Sequence, residues 1–283
     1  MRELVDAEWL EAQLGDPDIC VLDCSIAHVT REDGTSVFAN GREVWTQGHI
    51  PGSRHVDLLH DLSDQEAEVP LMMPPLDQLR DALTAAGVAD GKRVVLYDNN
   101  FSMWAARVWW ILRAASVDAA VLDGGWRTWT REGRPVETGE REPAAPGVLT
   151  LAVKPGQFAT KDEVLDQLED SSTCLIDALH PKVFNGERQE YARPGHIVGA
   201  QNVPALRLVD RETHQYLPLE DLRARFAAAS ALDADRVITY CGAGIAGSSG
   251  AFTLARLGVA DVAVYDGSLN EWAADPALPM TTR

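Results

Sequence analysis

The 283-residue sequence lacks a long apolar run, a paired-cysteine motif and a signal-like N-terminus. Its most apolar stretch, residues 103–115, is interrupted by Arg107 and Arg113, so it falls short of the roughly 18–20 residues that cross a membrane. The four cysteines form no CxxC pair, and no metal-ligand spacing stands out. We therefore expect a cytoplasmic protein with reduced thiols, no metal and no membrane partner.

Positive charge is also scarce. The sequence has 25 Lys and Arg against 43 Asp and Glu, which gives a formal net charge of −18. Such a surface repels nucleic acid, so we expect no nucleic-acid partner. An anionic small substrate would have to be held by a few placed cations or by backbone N–H groups.

Two halves of the sequence repeat one plan. VVLYD (94–98) and VLDGGWRTW (121–129) reappear as VITYC (237–241) and VYDGSLNEW (264–272). Three landmarks share an offset of 143 positions, namely Cys241 after Asp98, Asp266 after Asp123 and Trp272 after Trp129. A shared offset without a gap indicates a duplicated domain.

A second match and a linker complete this plan. GHIPGS (48–53) corresponds to GHIVGA (195–200), and the charged, Pro- and Gly-rich segment 137–147 is typical of a linker. The sequence therefore predicts an N-terminal domain over 1–138 and a C-terminal domain over 148–283, both of ordinary size.

Each half alternates short β-branched runs with helical patterns such as LDQLRDALTAAG (76–87) and SSGAFTLARLG (248–258). This alternation predicts an α/β fold in which a parallel sheet is covered by helices on both faces. In such sheets ligands bind at the carboxyl ends of the strands.

Cys241 is the residue that points to chemistry. It follows the apolar run RVITY and precedes three glycines, Gly242, Gly244 and Gly247, with a helix expected from near Ser248. The glycines permit positive φ and close backbone packing, so the loop can turn its N–H groups toward the sulfur. The positive end of the helix points the same way, and both effects favour a reactive thiolate.

The alternative reading of Cys241 is a buried structural cysteine before a tight turn. The first half argues against it, because Asp98 is followed there by NNFSMWAAR, which contains no glycine. The duplicated fold therefore does not itself require the glycine-rich loop. A loop confined to one half is what a single active site in a duplicated scaffold predicts.

The tandem plan, the GHIPG and GHIVG segments, the cysteine loop and the closing YDGSLNEWAADPALPM resemble the rhodanese superfamily, specifically its two-domain thiosulfate and 3-mercaptopyruvate sulfurtransferases. The resemblance implies two tandem rhodanese-like domains, a catalytically silent N-terminal domain and a sulfur-carrying Cys241. It also implies a substrate-binding loop of Gly242, Ala243, Gly244, Ile245, Ala246 and Gly247. CGAGIA is closer to the Cys-Gly-Ser-Gly-Val-Thr of mercaptopyruvate enzymes than to the Cys-Arg-Lys-Gly-Val-Thr of thiosulfate enzymes.

The sequence departs from the family pattern at three places. Ala243 replaces a loop serine, Leu71 stands where a histidine is expected, and 183–184 reads Val-Phe in place of Arg-Phe. Arg188 and Arg193 remain as the nearby cations that can pair with an anionic donor, although a solvated surface arginine is an equally good reading of each.

These features predict a sulfurtransferase that moves sulfur from 3-mercaptopyruvate through a Cys241 persulfide to a small thiol, a thioredoxin-like protein or cyanide, without a cofactor. Thiosulfate is the alternative donor. A non-catalytic sulfur-binding or sensing module of the same fold is the alternative to an enzyme.

Two other enzyme classes use a similar strand, loop and helix. Gly242 to Gly247 spell G-x-G-x-x-G, but only 17 residues follow Asp266, too few for the rest of a dinucleotide-binding half. A cysteine phosphatase would need an arginine at Gly247. Both alternatives are therefore weak.

Overall fold

A computed structural model describes residues 2–31, 34, 36–142, 144, 147–170 and 172–282, which form two compact units. The first unit comprises Met1–Gln65, Met73–Val153 and Arg211–Gln215, and the second comprises Glu66–Met72, Lys154–Asp210 and Tyr216–Arg283. The two units are not divided at a single position of the sequence, because each includes a short segment from the other half. The predicted limits, 1–138 and 148–283, stay a prediction.

The first unit is built on one parallel sheet. Its elements are β1 (Leu4–Val5), α1 (Ala7–Ala12), β2 (Ile19–Asp23), β3 (Ile26–Thr30), β4 (Ser36–Asn40), α2 (Arg42–Gln47), β5 (Arg54–His55), α3 (Leu76–Ala85), β6 (Arg93–Tyr97), α4 (Met103–Ala114), β7 (Ala119–Leu122) and α5 (Gly125–Arg131). Over the described residues the sheet has five strands in the order β1-β7-β6-β2-β5, while β3 and β4 form a separate antiparallel pair.

The second unit repeats this design. Its elements are β8 (Phe158–Ala159), α6 (Lys161–Asp166), β9 (Thr173–Asp177), α7 (Pro181–Phe184), β10 (His196–Ile197), β11 (Gln201–Asn202), α8 (Leu219–Ala228), β12 (Arg236–Tyr240), α9 (Ile245–Arg256), β13 (Val262–Tyr265), α10 (Ser268–Trp272) and β14 (Met280–Thr281), with 3₁₀ turns at Gln167–Glu169 and Ala205–Arg207. Its parallel sheet runs β11-β9-β12-β13-β8 in the described part of the chain.

The burial of the strands fits a parallel sheet that is covered on both faces in each unit. In β6 and in β12 the last four residues are buried, as expected for strands covered on both faces. Helix α4 is buried nearly all round, and Trp110 and Trp129 lie fully inside the first unit. The predicted α/β class, with a parallel sheet in each half, is confirmed.

The register of the second sheet positions the cysteine. Strand β12 lies between β9 and β13, and Tyr240 pairs with Asp177 at the carboxyl ends of their strands. Cys241 follows directly. In the first unit β6 ends at Tyr97, so Asp98 holds the same place.

The helix after Cys241 begins earlier than the sequence predicts. Helix α9 starts at Ile245 and not near Ser248. The reason is that Gly244 has a φ of 75° at the N-cap, which turns the chain from the loop directly into the helix. The helix N-terminus is therefore closer to Cys241 than expected.

The predicted linker lies partly outside the described residues, at 143, 145 and 146. On either side of these positions the chain is bound to the first unit. Glu137 forms an isolated antiparallel bridge with His49, and Thr150 donates from its backbone N and its Oγ1 to the carboxylate of Asp90, at 2.8 Å each.

A search of the described residues finds no helix long and apolar enough to cross a membrane.

Candidate active site

Cys241 lies at the start of a loop that is held by its own backbone. Its side chain is buried, with 3% of its surface exposed. The carbonyl of Cys241 accepts from the N–H of Leu269, and the carbonyl of Gly242 accepts from the N–H of Asn270, both at 3.0 Å. The first turn of α10 therefore fixes the first two residues of the loop.

A serine that the sequence analysis missed completes this support. The Oγ of Ser268 accepts hydrogen bonds from the backbone N–H groups of Cys241 and Gly244, both at 3.1 Å, and donates to the carbonyl of Tyr265 at 2.8 Å. Ser268 is fully buried and has a φ of 50°. The sequence carried a signal for this serine. The residue 143 positions earlier in the duplicated segment is Gly125, so the serine occurs only in the half that carries Cys241.

The three loop glycines serve different purposes. Only Gly244 has a positive φ. At Gly242 an added Cβ would lie 2.1 Å from the hydroxyl oxygen of Tyr191, and at Gly247 it would lie 3.1 Å from the Cα of Tyr240. Gly242 and Gly247 are therefore required for close packing, whereas Gly244 is required for backbone conformation.

The remaining predicted loop residues provide no charge. Ala243, Ile245 and Ala246 are half-buried and apolar. Attraction for an anion at this loop must come from backbone N–H groups and from the N-terminal end of α9, a 12-residue helix.

The equivalent loop of the first unit shows how such N–H groups converge. The carboxylate of Asp98 accepts from the backbone N–H groups of Asn100 at 2.7 Å, Ser102 at 3.1 Å and Ala105 at 2.8 Å. Burial raises the pKa of Asp98 to about 6, although these three hydrogen bonds lower it. At the position of the first unit that corresponds to Cys241, the side chain is thus surrounded by three backbone donors.

The other three thiols are held in environments that favour the neutral form. The thiols of Cys20, Cys24 and Cys174 each donate to a backbone carbonyl oxygen. Burial raises the pKa of Cys20 and of Cys174 to about 11, and that of Cys24 well above its usual value. Because the thiolate is the nucleophile, these cysteines are poor candidates for sulfur transfer.

The two predicted arginines have different surroundings. Arg188 is about half exposed, and its Nε lies 2.8 Å from a carboxylate oxygen of Glu190. Arg193 donates from all three guanidinium nitrogens to the backbone carbonyls of Trp272, Ala273, Asp275 and Leu278, at 2.6–3.0 Å. Arg193 therefore holds the segment after α10.

A cavity lies within the second unit, next to α10. It has a volume of about 470 Å³ and is lined in part by Glu68 and Met72 from the segment Glu66–Met72, and by Asn270 and Glu271 of α10. Asn270 is the residue that donates to the carbonyl of Gly242. Leu71, which stands where the resemblance expects a histidine, belongs to the same segment.

Metal ligation has no support in the described residues, where no group of three His, Cys, Asp or Glu side chains is arranged to hold an ion.

Comparison with known proteins agrees with this geometry. The Rhodanese-like domain family matches residues 6–132 and 160–275, one match in each half. The chain belongs to the rhodanese family. The expected resemblance is thereby confirmed.

Relatives that match nearly the whole chain carry sulfurtransferase names, which confirms the expectation of a sulfurtransferase. The 3-mercaptopyruvate sulfurtransferase of Escherichia coli K12 is 32% identical over 280 residues, covering 98% of this chain and 96% of that protein. The thiosulfate sulfurtransferase of Bos taurus is 29% identical over 283 residues, covering 96% and 92%. The crystal structure of SseA from Escherichia coli, described as a 3-mercaptopyruvate sulfotransferase, superposes with a TM-score of 0.83 at 31% identity and covers 95% of this chain and 99% of its own.

Proposed function

We propose that this protein transfers a sulfur atom from 3-mercaptopyruvate to a thiol or cyanide, through a persulfide on Cys241. The observation that carries the proposal is the position of Cys241 at the carboxyl end of a central strand, followed by a loop and a helix N-terminus. Asp98, at the same place in the first unit, is surrounded by three backbone N–H donors. A comparable cradle at Cys241 would stabilise a thiolate and then a persulfide anion.

In the first step the thiolate of Cys241 attacks the sulfur of the donor. The bond between that sulfur and C3 of mercaptopyruvate breaks, and its electron pair leaves with the carbon fragment as the enolate of pyruvate. Water supplies the proton that converts the enolate to pyruvate. The sulfur remains on Cys241 as a persulfide.

In the second step an acceptor thiolate or cyanide attacks the outer sulfur of the persulfide. The S–S bond breaks, its electrons return to Cys241 as a thiolate, and the acceptor carries the sulfur away. The cycle uses no cofactor. The first unit contributes no nucleophile at the corresponding loop, because a carboxylate occupies that position, so we propose that the N-terminal domain is catalytically silent.

Mercaptopyruvate is preferred over thiosulfate as the donor because of the charge at the loop. Thiosulfate is a dianion, but the loop has no positively charged side chain to pair with it. Gly242 has no side chain, and those of Ala243, Ile245 and Ala246 are apolar. Mercaptopyruvate has a single carboxylate held away from its sulfur. The half-exposed guanidinium of Arg188 is suited to pair with that carboxylate.

Steady-state kinetics with both donors and one acceptor thiol tests this preference. We expect a higher kcat/KM for mercaptopyruvate, and a raised KM for that donor in the Arg188→Gln variant. A clear preference for thiosulfate would contradict the choice of donor. An unchanged KM in the variant would remove Arg188 from the site.

A further inference from the structure

Tyr191 lies directly over the residue that follows the catalytic cysteine. An added Cβ on Gly242 would meet three atoms of Tyr191, namely the hydroxyl oxygen at 2.1 Å, Cζ at 2.7 Å and Cε1 at 2.8 Å. Since Gly242 does not have a positive φ, its backbone does not require glycine. The absence of a side chain at 242 therefore serves to admit the phenol.

This pairing is confined to the half that carries the cysteine. The described part of the first half offers no counterpart of Tyr191, because Phe184 stacks on His196 across twelve positions, whereas Trp45 stacks on His49 across only four. Gly242 corresponds to Asn99 at the offset of 143. A feature needed only for folding would be expected in both halves, as for the Asp and Tyr pairs Asp23–Tyr97 and Asp177–Tyr240 at the strand ends.

The hydroxyl of Tyr191 is available to a ligand. Among the described residues it has no hydrogen-bond partner, while the phenyl ring packs against the apolar core of the second unit. Burial and then the charge on Cys241 raise the pKa of Tyr191 well above its usual value, while the charge on Arg188 lowers it. The group therefore stays protonated at neutral pH and can donate a hydrogen bond.

The position of the Tyr191 hydroxyl next to residue 242 suits the oxygen of a 2-oxo acid. Adjacent Cα atoms are about 3.8 Å apart, so a hydroxyl over residue 242 lies one residue from the cysteine. In mercaptopyruvate the C2 oxygen is three bonds from the sulfur. As the bond between sulfur and C3 breaks, the negative charge of the enolate develops on this oxygen.

We propose that the Tyr191 hydroxyl donates a hydrogen bond to the C2 oxygen of the donor and stabilises the enolate that leaves when Cys241 takes the sulfur. Tyr191 keeps its proton, and the enolate receives its own from water. This role rests on the proposed function. It makes Tyr191 a catalytic residue only for donors that leave as an enolate, and so a determinant of donor specificity.

Single-turnover persulfide formation on the full chain tests the proposal, with 3-mercaptopyruvate and inorganic tetrasulfide as the two donors. Tetrasulfide leaves without forming an enolate. In Tyr191→Phe we expect the rate with mercaptopyruvate to fall roughly hundred- to thousandfold, as for loss of one oxyanion donor, and the rate with tetrasulfide to change less than about twofold. Tyr216→Phe, which alters a tyrosine packed against Phe252 in α9, is the matched control and should leave both rates unchanged.

Three results would overturn the role of Tyr191. Equal rates for wild type and Tyr191→Phe with mercaptopyruvate would show that the hydroxyl is not used. Equal losses with both donors would show that Tyr191 acts on the loop and not on the enolate. Wild-type protein that loads sulfur from tetrasulfide but not from mercaptopyruvate would refute the proposed donor, and the role of Tyr191 with it.

Discussion

The Oγ of Ser268 lies 3.1 Å from the backbone nitrogen of Cys241 and accepts its hydrogen bond. The same oxygen accepts from Gly244, so one buried hydroxyl joins the start of the cysteine loop to the N-cap of α9. These donors would otherwise be buried without partners. Ser268 is thus a positioning residue that acts on the sulfur through the backbone of the cysteine loop.

Replacing Ser268 with Ala should lower both loop order and stability. Two buried N–H groups lose their acceptor, which costs about 1–3 kcal/mol for each group left unpaired. We expect slower persulfide formation and a lower free energy of unfolding, measured by single-turnover kinetics and urea denaturation. Ser249→Ala is the control, because the Ser249 hydroxyl is buried without a hydrogen-bond partner among the described residues. A Ser268→Ala variant as stable and as fast as Ser249→Ala would refute this role.

Replacing Gly242 with Ala should force the new methyl group into Tyr191. We expect slower sulfur loading, because either the ring or the loop must move. Gly250→Ala is the matched control, since its Cβ would meet Thr239 at an ordinary 3.4 Å. Tyr191→Ala removes the ring that the new methyl group would meet. Gly242→Ala should therefore slow sulfur loading less in the Tyr191→Ala background than in wild type. Equal costs in both backgrounds would show that the two residues are not coupled.

Several of these residues follow from the sequence, and others do not. The loop was predictable because Cys241 directly follows an apolar strand and a shared offset identifies Asp98 as its counterpart. Tyr191 was not, because it reaches Gly242 from a loop 51 positions earlier, and no local pattern encodes that contact. The carbonyl contacts of Arg193 are equally non-local, so the sequence could not show that its guanidinium holds the segment after α10.

Stability should fall as pH rises through the range in which Asp177 ionises. Burial raises the pKa of Asp177 from 3.8 to about 7, so the folded chain binds a proton that the unfolded chain has lost. This contribution is fully present below pH 3.8 and is lost by about pH 7. In Asp177→Asn the free energy of unfolding should depend less on pH between 5 and 8 than in wild type, by urea denaturation. Parallel curves would contradict the raised pKa.

Intact-mass analysis after exposure to 3-mercaptopyruvate tests the central claim most directly. Wild-type protein should gain the mass of one sulfur atom, and peptide mapping should place it on Cys241. Cys241→Ser should gain none while remaining folded, because an alcohol cannot replace the thiolate as nucleophile. Asp98→Asn should load like wild type, since the first unit holds no nucleophile at that loop. Sulfur on Cys20, Cys24 or Cys174 with Cys241 unmodified would contradict the account.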